Sequence, residues 1–124
     1  MADITTLLMT PHATEVANKM KESGVFEDAL AAARFGMAYT IKYYLNDVDT
    51  PEKIEKLDKI YVGSGTTYNA GSVDQENFMG TLISMLYPGC TTPYRYMRVL
   101  MCFGLNKLGD LLEEGRLFPI SDNM

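Results

Sequence analysis

His12 is the single histidine of the chain and therefore the first candidate for acid–base chemistry. Imidazole changes its charge near neutral pH, so a general base would be His12 or a carboxylate. Thr10-Pro11 precedes it and predicts the start of a helix, whose positive end favours the neutral ring. No serine or cysteine nucleophile lies nearby in the sequence. We therefore favour an exposed histidine in a first helical turn over a catalytic base.

A second candidate is the segment Gly63-Ser64-Gly65-Thr66-Thr67. Its consecutive backbone N–H groups and hydroxyls are the groups that cradle a phosphate. The segment lacks the lysine of a P-loop and the three ordered glycines of a dinucleotide-binding turn. A flexible connection between helices is therefore the favoured interpretation.

Arginine and tyrosine alternate at Tyr94, Arg95, Tyr96 and Arg98, a pattern that can combine phosphate contacts with base stacking. Residues 92–116 hold four basic and three acidic side chains, the one stretch with a positive balance. The sequence therefore predicts that any nucleic-acid contact uses Arg95, Arg98 and Lys107. The favoured alternative has the tyrosine rings packed and the guanidinium groups paired with carboxylates.

Cys90 and Cys102 are the two cysteines, and with His12 they are too few for a structural zinc site of four nitrogen or sulfur ligands. We expect no metal and no cofactor. Cys102 between Met101 and Phe103 is typical of a small buried side chain. Free thiols, together with an opening that does not resemble a signal peptide, predict a reducing, cytoplasmic location. No apolar run reaches the length of a membrane span, so no membrane partner is expected.

Methionine and tyrosine are frequent, at nine and eight residues. Both types are favoured at protein interfaces, and both also fill cores that lack tryptophan and large aliphatic side chains. The two interpretations stay open on sequence alone. In the interface interpretation, the residues that would face a second copy lie on the most apolar predicted helix: Ala32, Phe35, Ala38 and Tyr39.

Length and composition limit the organisation of the chain. Its 124 residues, with 47% hydrophobic and 22% charged side chains, predict one folded domain over residues 1–124. The formal charge of −5 and a pI near 4.7 mark an acidic protein, which is the wrong sign for a generic polyphosphate binder.

The first half of the chain predicts one strand and three helices. A short β-capable run covers 4–9, and a capped helix follows from Thr10-Pro11 to Ser23-Gly24. A long helix is predicted from Val25 to Leu45, apolar on most faces and thus either central in a bundle or covered by a partner. A third helix is predicted to begin at Thr50-Pro51, and residues 63–71 are predicted to form the main loop.

The second half predicts two further helices. Ser72 and Gln75 have the spacing of a capping box, which places a fourth helix from Ser72 to Tyr87 with Phe78, Leu82 and Met85 as its apolar stripe. The last helix runs from Thr92-Pro93 to Glu114-Gly115. Gly104 on its apolar stripe permits close approach by another helix. The tail 117–120 is expected to pack back onto the body.

The order of strand, capped helix, glycine turn and second helix over residues 4–43 resembles the ribbon-helix-helix regulators. The stretch Glu22–Gly36 looks like that family's glycine, aromatic, acidic cap and alanine-rich helix. The resemblance implies a dimer formed through the strand, with Gly24 as the turn, and DNA read by outward side chains, either Thr6 and Leu8 or Thr5 and Leu7. The helix pair is also similar, more weakly, to the small helical DndE subunit of DNA phosphorothioation systems.

Together these patterns predict a mainly α protein, a compact bundle of about five helices with one short N-terminal strand that pairs only across a dimer. The favoured function is a small non-enzymatic protein-interaction or accessory subunit of a larger assembly, and we expect it to self-associate. The alternative is a DNA-binding regulator or a DNA-modification accessory protein. A small enzyme using His12 or a carboxylate comes third.

Overall fold

The computed structural model describes residues 3–61, 63–74, 76–118 and 120–123. They form a mainly α fold with one small antiparallel sheet, which confirms the predicted fold class. In chain order the elements are β1 (Thr6–Leu8), α1 (Pro11–Glu22), α2 (Ala29–Tyr43), α3 (Pro51–Ile60), β2 (Thr67–Asn69), α4 (Ala70–Val73), α5 (Phe78–Leu86) and α6 (Pro93–Glu113).

Side-chain caps set where the first three helices begin. The Thr10 and Thr50 hydroxyls accept hydrogen bonds from the N–H groups of Ala13 and Lys53, as the Thr-Pro pairs predict. Asp28 caps α2 by accepting from the N–H of Ala31 at 2.7 Å. The predicted start of the long helix at Val25 is therefore wrong. Helical geometry begins at Ala29, because the capping residue itself adopts extended backbone.

α6 is the centre of the bundle, and α2 packs along it. Most of the α6 residues between Tyr96 and Gly109 are buried. Gly104 lies directly against the backbone of Gly36, and an added methyl group there would overlap the Gly36 carbonyl. The Thr40 hydroxyl donates to the carbonyl oxygen of Leu100 at 2.8 Å. The close approach predicted at Gly104 is thus confirmed.

The N-terminal strand finds its partner within the chain. β1 pairs antiparallel with β2, aligning Thr6 with Asn69, Leu7 with Tyr68 and Leu8 with Thr67. The prediction that this strand pairs only across a dimer is wrong, and so is the prediction that 63–71 is loop throughout. A three-residue strand is too short for its alternation of apolar and polar residues to be recognised in the sequence. Its pairing also depends on a contact between distant parts of the chain.

The predicted fourth helix is interrupted. Its first turn is the separate helix α4, and Ser72 lies inside that turn rather than capping it; Gln75 lies outside the described residues. Asn77 then adopts left-handed backbone at φ 56°. The Asp74 carboxylate accepts hydrogen bonds from the N–H groups of Met79 and Gly80, at 2.9 and 2.8 Å. This side-chain cap starts α5 afresh, because it binds N–H groups that no helical carbonyl reaches.

The C-terminal tail returns to the body, as predicted. Leu117 and Ile120 are buried in the core, whereas Pro119 lies outside the described residues. Across the part of the chain that the structure describes, no helix combines the length and apolarity needed to cross a membrane.

Candidate interaction surface

His12 lies exposed in the first turn of α1, where the sequence places it. Its ring is next to Gly109 of α6, at which an added methyl group would come within 3.1 Å of Nε2. The nearby Glu15 carboxylate is paired with Lys19 at 3.0 Å, and this ion pair lowers the pKa of Glu15. Over the described residues no three His, Cys, Asp or Glu side chains gather closely enough to hold a metal ion. Among the described residues no carboxylate is hydrogen-bonded to His12, and Glu15 is paired with Lys19 instead.

The glycine-rich segment 63–67 uses its backbone donors internally. The N–H groups of Ser64 and Gly65 donate to the carbonyl oxygen of Met9, at 3.2 and 2.8 Å. The N–H of Thr66 donates to the Thr14 hydroxyl at 2.9 Å. Gly65 sits so close to this junction that an added methyl group would lie 2.8 Å from the Thr10 carbonyl. The segment therefore fastens β1 to α1, and these three N–H groups are not free for a phosphate.

Arg95 and Arg98 converge on one carboxylate. Each guanidinium binds an oxygen of Asp58 on α3, at 3.2 and 3.1 Å. Arg98 is nine-tenths buried and also donates to the carbonyl oxygens of Leu8 and Tyr61. Arg98 thus joins β1, α3 and α6, which is the internal pairing that the sequence analysis favours for these arginines.

Lys107 lies elsewhere on α6, about 18 Å along the axis from Arg95 at 1.5 Å per residue. Its ammonium is 5.2 Å from the Tyr44 ring centroid and 5.5 Å from that of Phe103. It lines a shallow depression of about 410 Å³ between α3 and α6, together with two lysines of α3. The structure therefore places Lys107 with lysines that the sequence analysis did not select. The full lining is Asp47, Lys53, Lys56, Leu57, Ile60, Phe103 and Lys107.

The predicted interface residues of α2 divide into buried and exposed groups. Ala32 is completely buried within the chain, so it is removed from the predicted interface. Phe35 and Tyr39 are half-buried in a row of rings: Phe35 stacks on Tyr39 at 6.4 Å and meets Phe26 edge-on at 5.4 Å. Burial raises the pKa of Tyr39. Of the four residues Ala38 is exposed, and Phe35 and Tyr39 keep only part of their ring surface accessible.

α5 exposes the side chains that the sequence identifies as its apolar stripe. Phe78 is 76% exposed, Met85 73% and Leu82 40%, and these three residues follow one face of the helix. We call them the α5 stripe. Their helical spacing in the sequence is confirmed, and the structure turns this stripe outward. The neighbouring residues Gly80 and Ile83 are buried instead, with Met79 and Leu86 packed against the core.

The sequence contains two equivalent apolar stripes on this helix. Positions 78, 82 and 85 have the same spacing as positions 79, 83 and 86, shifted by one residue. One helix can turn only one stripe toward the core, so a helix with two leaves an apolar face outside. The Asp74 cap sets the rotation by holding the backbone at Met79 and Gly80. The presence of two apolar stripes in the sequence could have predicted that α5 has an exposed apolar face.

A cleft of about 560 Å³ lies between α3 and the turn that joins α5 to α6. Ile54, Tyr87 and Tyr96 form apolar walls, and the paired Arg95 and Asp58 lie on the polar side. The Tyr87 hydroxyl donates to the carbonyl oxygen of Val48 at 2.6 Å, and burial raises its pKa to about 12. The Arg95–Asp58 pair thus joins α3 to α6 at the cleft, and the Tyr87 hydroxyl fixes the turn before α6 to Val48.

No protein-family model matches this chain, and neither a curated protein nor a solved structure matches it. The resemblance of residues 4–43 to ribbon-helix-helix regulators therefore stays a prediction. The exposed α5 stripe and the depression lined by lysines are identified from the structure of this chain and not from a related protein.

Proposed function

We propose that this protein is a small non-enzymatic subunit that works by binding protein, and that the α5 stripe is its docking face. The observation that carries the proposal is the exposure of Phe78 and Met85, at 76% and 73%, on one side of a helix. Single exposed apolar residues are ordinary, but a contiguous apolar face bordered by polar residues is typical of interaction sites. Glu76, Asn77 and Thr81 border this face.

Aromatic and methionine side chains suit such a role. Phenylalanine contributes a large apolar area, and methionine adapts its shape to the partner. On sequence alone the many methionines could belong to a core or to an interface. In the structure some fill the core, whereas Met85 is exposed. The core residues include Met9, Met20, Met97 and Met101. Met85 therefore supports the interface interpretation at this one helix.

The DNA-binding alternative has less support. Its three predicted contact residues do not form one patch, and Arg98 is committed to Asp58, Leu8 and Tyr61. A phosphate contact at Arg98 would break these bonds, which costs more than a surface contact returns. Self-association remains part of the proposal, in the cytoplasm, where Cys90 and Cys102 stay the free thiols that the structure describes.

Site-specific photo-crosslinking tests the docking face. We would place p-benzoylphenylalanine at position 85 and, as a matched control, at the exposed Asn18 of α1, and irradiate cells that express either protein. We expect covalent protein adducts from position 85 that disappear when Phe78→Ser is added, because that change removes most of the apolar face. Circular dichroism should show that Phe78→Ser is folded. Equal adducts from both positions, or adducts that persist with Phe78→Ser, would overturn the proposal.

A further inference from the structure

Two surfaces on different elements are unusually apolar for exposed positions. In the described part of the chain the three most exposed large apolar side chains are Phe78, Met85 and Ile60, at 76%, 73% and 68%. The first two belong to the α5 stripe. Ile60 belongs to the depression between α3 and α6, which we call the lysine-rimmed depression; Leu57 and Phe103 complete its apolar floor. Burying these side chains against each other would remove the most exposed apolar surface of the molecule.

The charges around the two surfaces are opposite. The lining of the depression includes three lysines, Lys53, Lys56 and Lys107, and one aspartate, Asp47. Lys53 is paired with Asp49, so Lys56 and Lys107 outnumber Asp47 and leave a positive site on a chain of net charge −5. Residues 62–91, which include α5, contain Asp74 and Glu76 and no basic side chain. The Asp74 carboxylate is buried as the α5 cap, so Glu76 supplies the exposed charge, two residues before Phe78. Opposite charges at the border of an apolar contact fix its orientation.

The lysines at the rim are positioned to receive a carboxylate. The Lys53 ammonium already donates to the Asp49 carboxylate at 2.7 Å and to the Asn46 carbonyl oxygen, so it mainly holds α3 to the segment that precedes it. Lys56 is exposed on α3, and Lys107 is held over the rings of Tyr44 and Phe103. A ring-held ammonium loses less freedom when it binds an anion than a fully mobile one.

We propose that the occupant of the lysine-rimmed depression is the α5 stripe of a second copy of this chain, with Glu76 of that copy facing Lys56 and Lys107. This inference rests on the proposed function and names the partner of the same docking face. Because stripe and depression are different surfaces, each copy offers one of each. The contact is then either reciprocal, closing a two-fold dimer in which each stripe fills the depression of the other copy, or head-to-tail, continuing from copy to copy into a ring or a filament.

Mixing two variants tests the contact between stripe and depression directly. One variant carries Phe78→Ser and Met85→Ser and loses the stripe; the other carries Lys56→Glu and Ile60→Ser and loses the depression. All four positions are exposed, so both variants should fold, which circular dichroism checks. In sedimentation we expect wild-type protein to assemble, as a dimer if the contact is reciprocal and as larger species if it is head-to-tail, and each variant alone to stay monomeric. An equimolar mixture should form a dimer and stop there, since one intact contact remains.

A matched control carries Lys21→Glu and Val25→Ser, which makes the same kinds of change at exposed positions near the end of α1. It should assemble like wild type. Reversing one charge, with Glu76→Lys or Lys56→Glu, should raise the dissociation constant about threefold, and the two reversals together should restore it. Added salt should weaken the wild-type assembly.

Several results would overturn this inference. Wild-type protein that stays monomeric at high micromolar concentration removes it, and so does a mixture of the two variants that fails to dimerise. Position-85 photo-adducts that contain only a different protein would also overturn it while leaving the proposed function intact. Absence of specific adducts together with a monomeric wild type would overturn both.

Discussion

Gly104 of α6 packs directly against the backbone of Gly36 of α2, and this contact sets how closely the two central helices approach. A methyl group at Gly104 would overlap the Gly36 carbonyl and also press on the Thr40 hydroxyl, which is bound to Leu100. Because the obstacle is backbone rather than a flexible side chain, the helices must separate to admit it. The glycine pair therefore determines the packing of the core around it.

Gly104→Ala should lower the free energy of unfolding by about 3 kcal/mol, at the upper end of the usual cost of overpacking. Urea denaturation of the purified protein measures this. Ala38→Ser, at an exposed position on α2, is the control and should change stability by less than about 0.5 kcal/mol. Equal stability of Gly104→Ala and wild type would contradict the close contact.

Arg98→Met should destabilise the fold by about 3 kcal/mol, because it removes one of the two guanidinium partners of Asp58 and leaves the Leu8 and Tyr61 carbonyl groups without this donor. The same measurement on Lys19→Met, which breaks an exposed ion pair with Glu15, should show about 0.5 kcal/mol or less. An Arg98→Met protein as stable as wild type that has lost a nucleic-acid complex would favour the DNA-binding alternative.

The stability of the protein should fall above about pH 10. Burial raises the pKa values of Tyr61 and Tyr87 from about 10 to about 12 in the folded protein. As pH rises, the unfolded chain loses these phenolic protons first, so the free energy of unfolding decreases between about pH 10 and pH 12.

Urea denaturation over this pH range tests the effect with a variant that carries Tyr61→Phe and Tyr87→Phe. Its stability should decline less steeply than that of wild type. The two proteins should differ by a constant amount at pH 7 to about 9, where neither phenol ionises in either state. Parallel curves up to pH 12 would show that these tyrosines titrate alike in the folded and unfolded chain.

Substitutions on α2 should separate folding from assembly. Ala32→Glu places a carboxylate at a completely buried site and should prevent folding, because an unpaired charge in the core is strongly unfavourable. Ala38→Glu, at an exposed site, should fold and assemble like wild type if the contact uses α5 rather than α2. Thermal melting measures the effect on folding, and sedimentation measures the effect on assembly. A folded but monomeric Ala38→Glu protein would show that the interface includes α2.

Local signals in the sequence correctly predicted most helix ends. The pairs Thr10-Pro11, Thr50-Pro51 and Thr92-Pro93 each precede an observed helix, and the small residue on the α6 stripe correctly marks a close helix contact. Thr10 and Thr50 make side-chain capping bonds, whereas Thr92 makes none and the proline that follows it marks the start of α6. All these features depend on residues a few positions apart, so a single sequence contains the information.

The tertiary structure alone decided three matters that bear on function. It paired β1 with β2 inside the chain, bound Arg98 to Asp58, and turned positions 79 and 83 of α5 inward while the α5 stripe stayed outside. Each depends on contacts between residues distant in sequence, and the alternatives are locally equivalent. The two stripes of α5 have the same spacing, and only the packing against α6 and the Asp74 cap distinguish them.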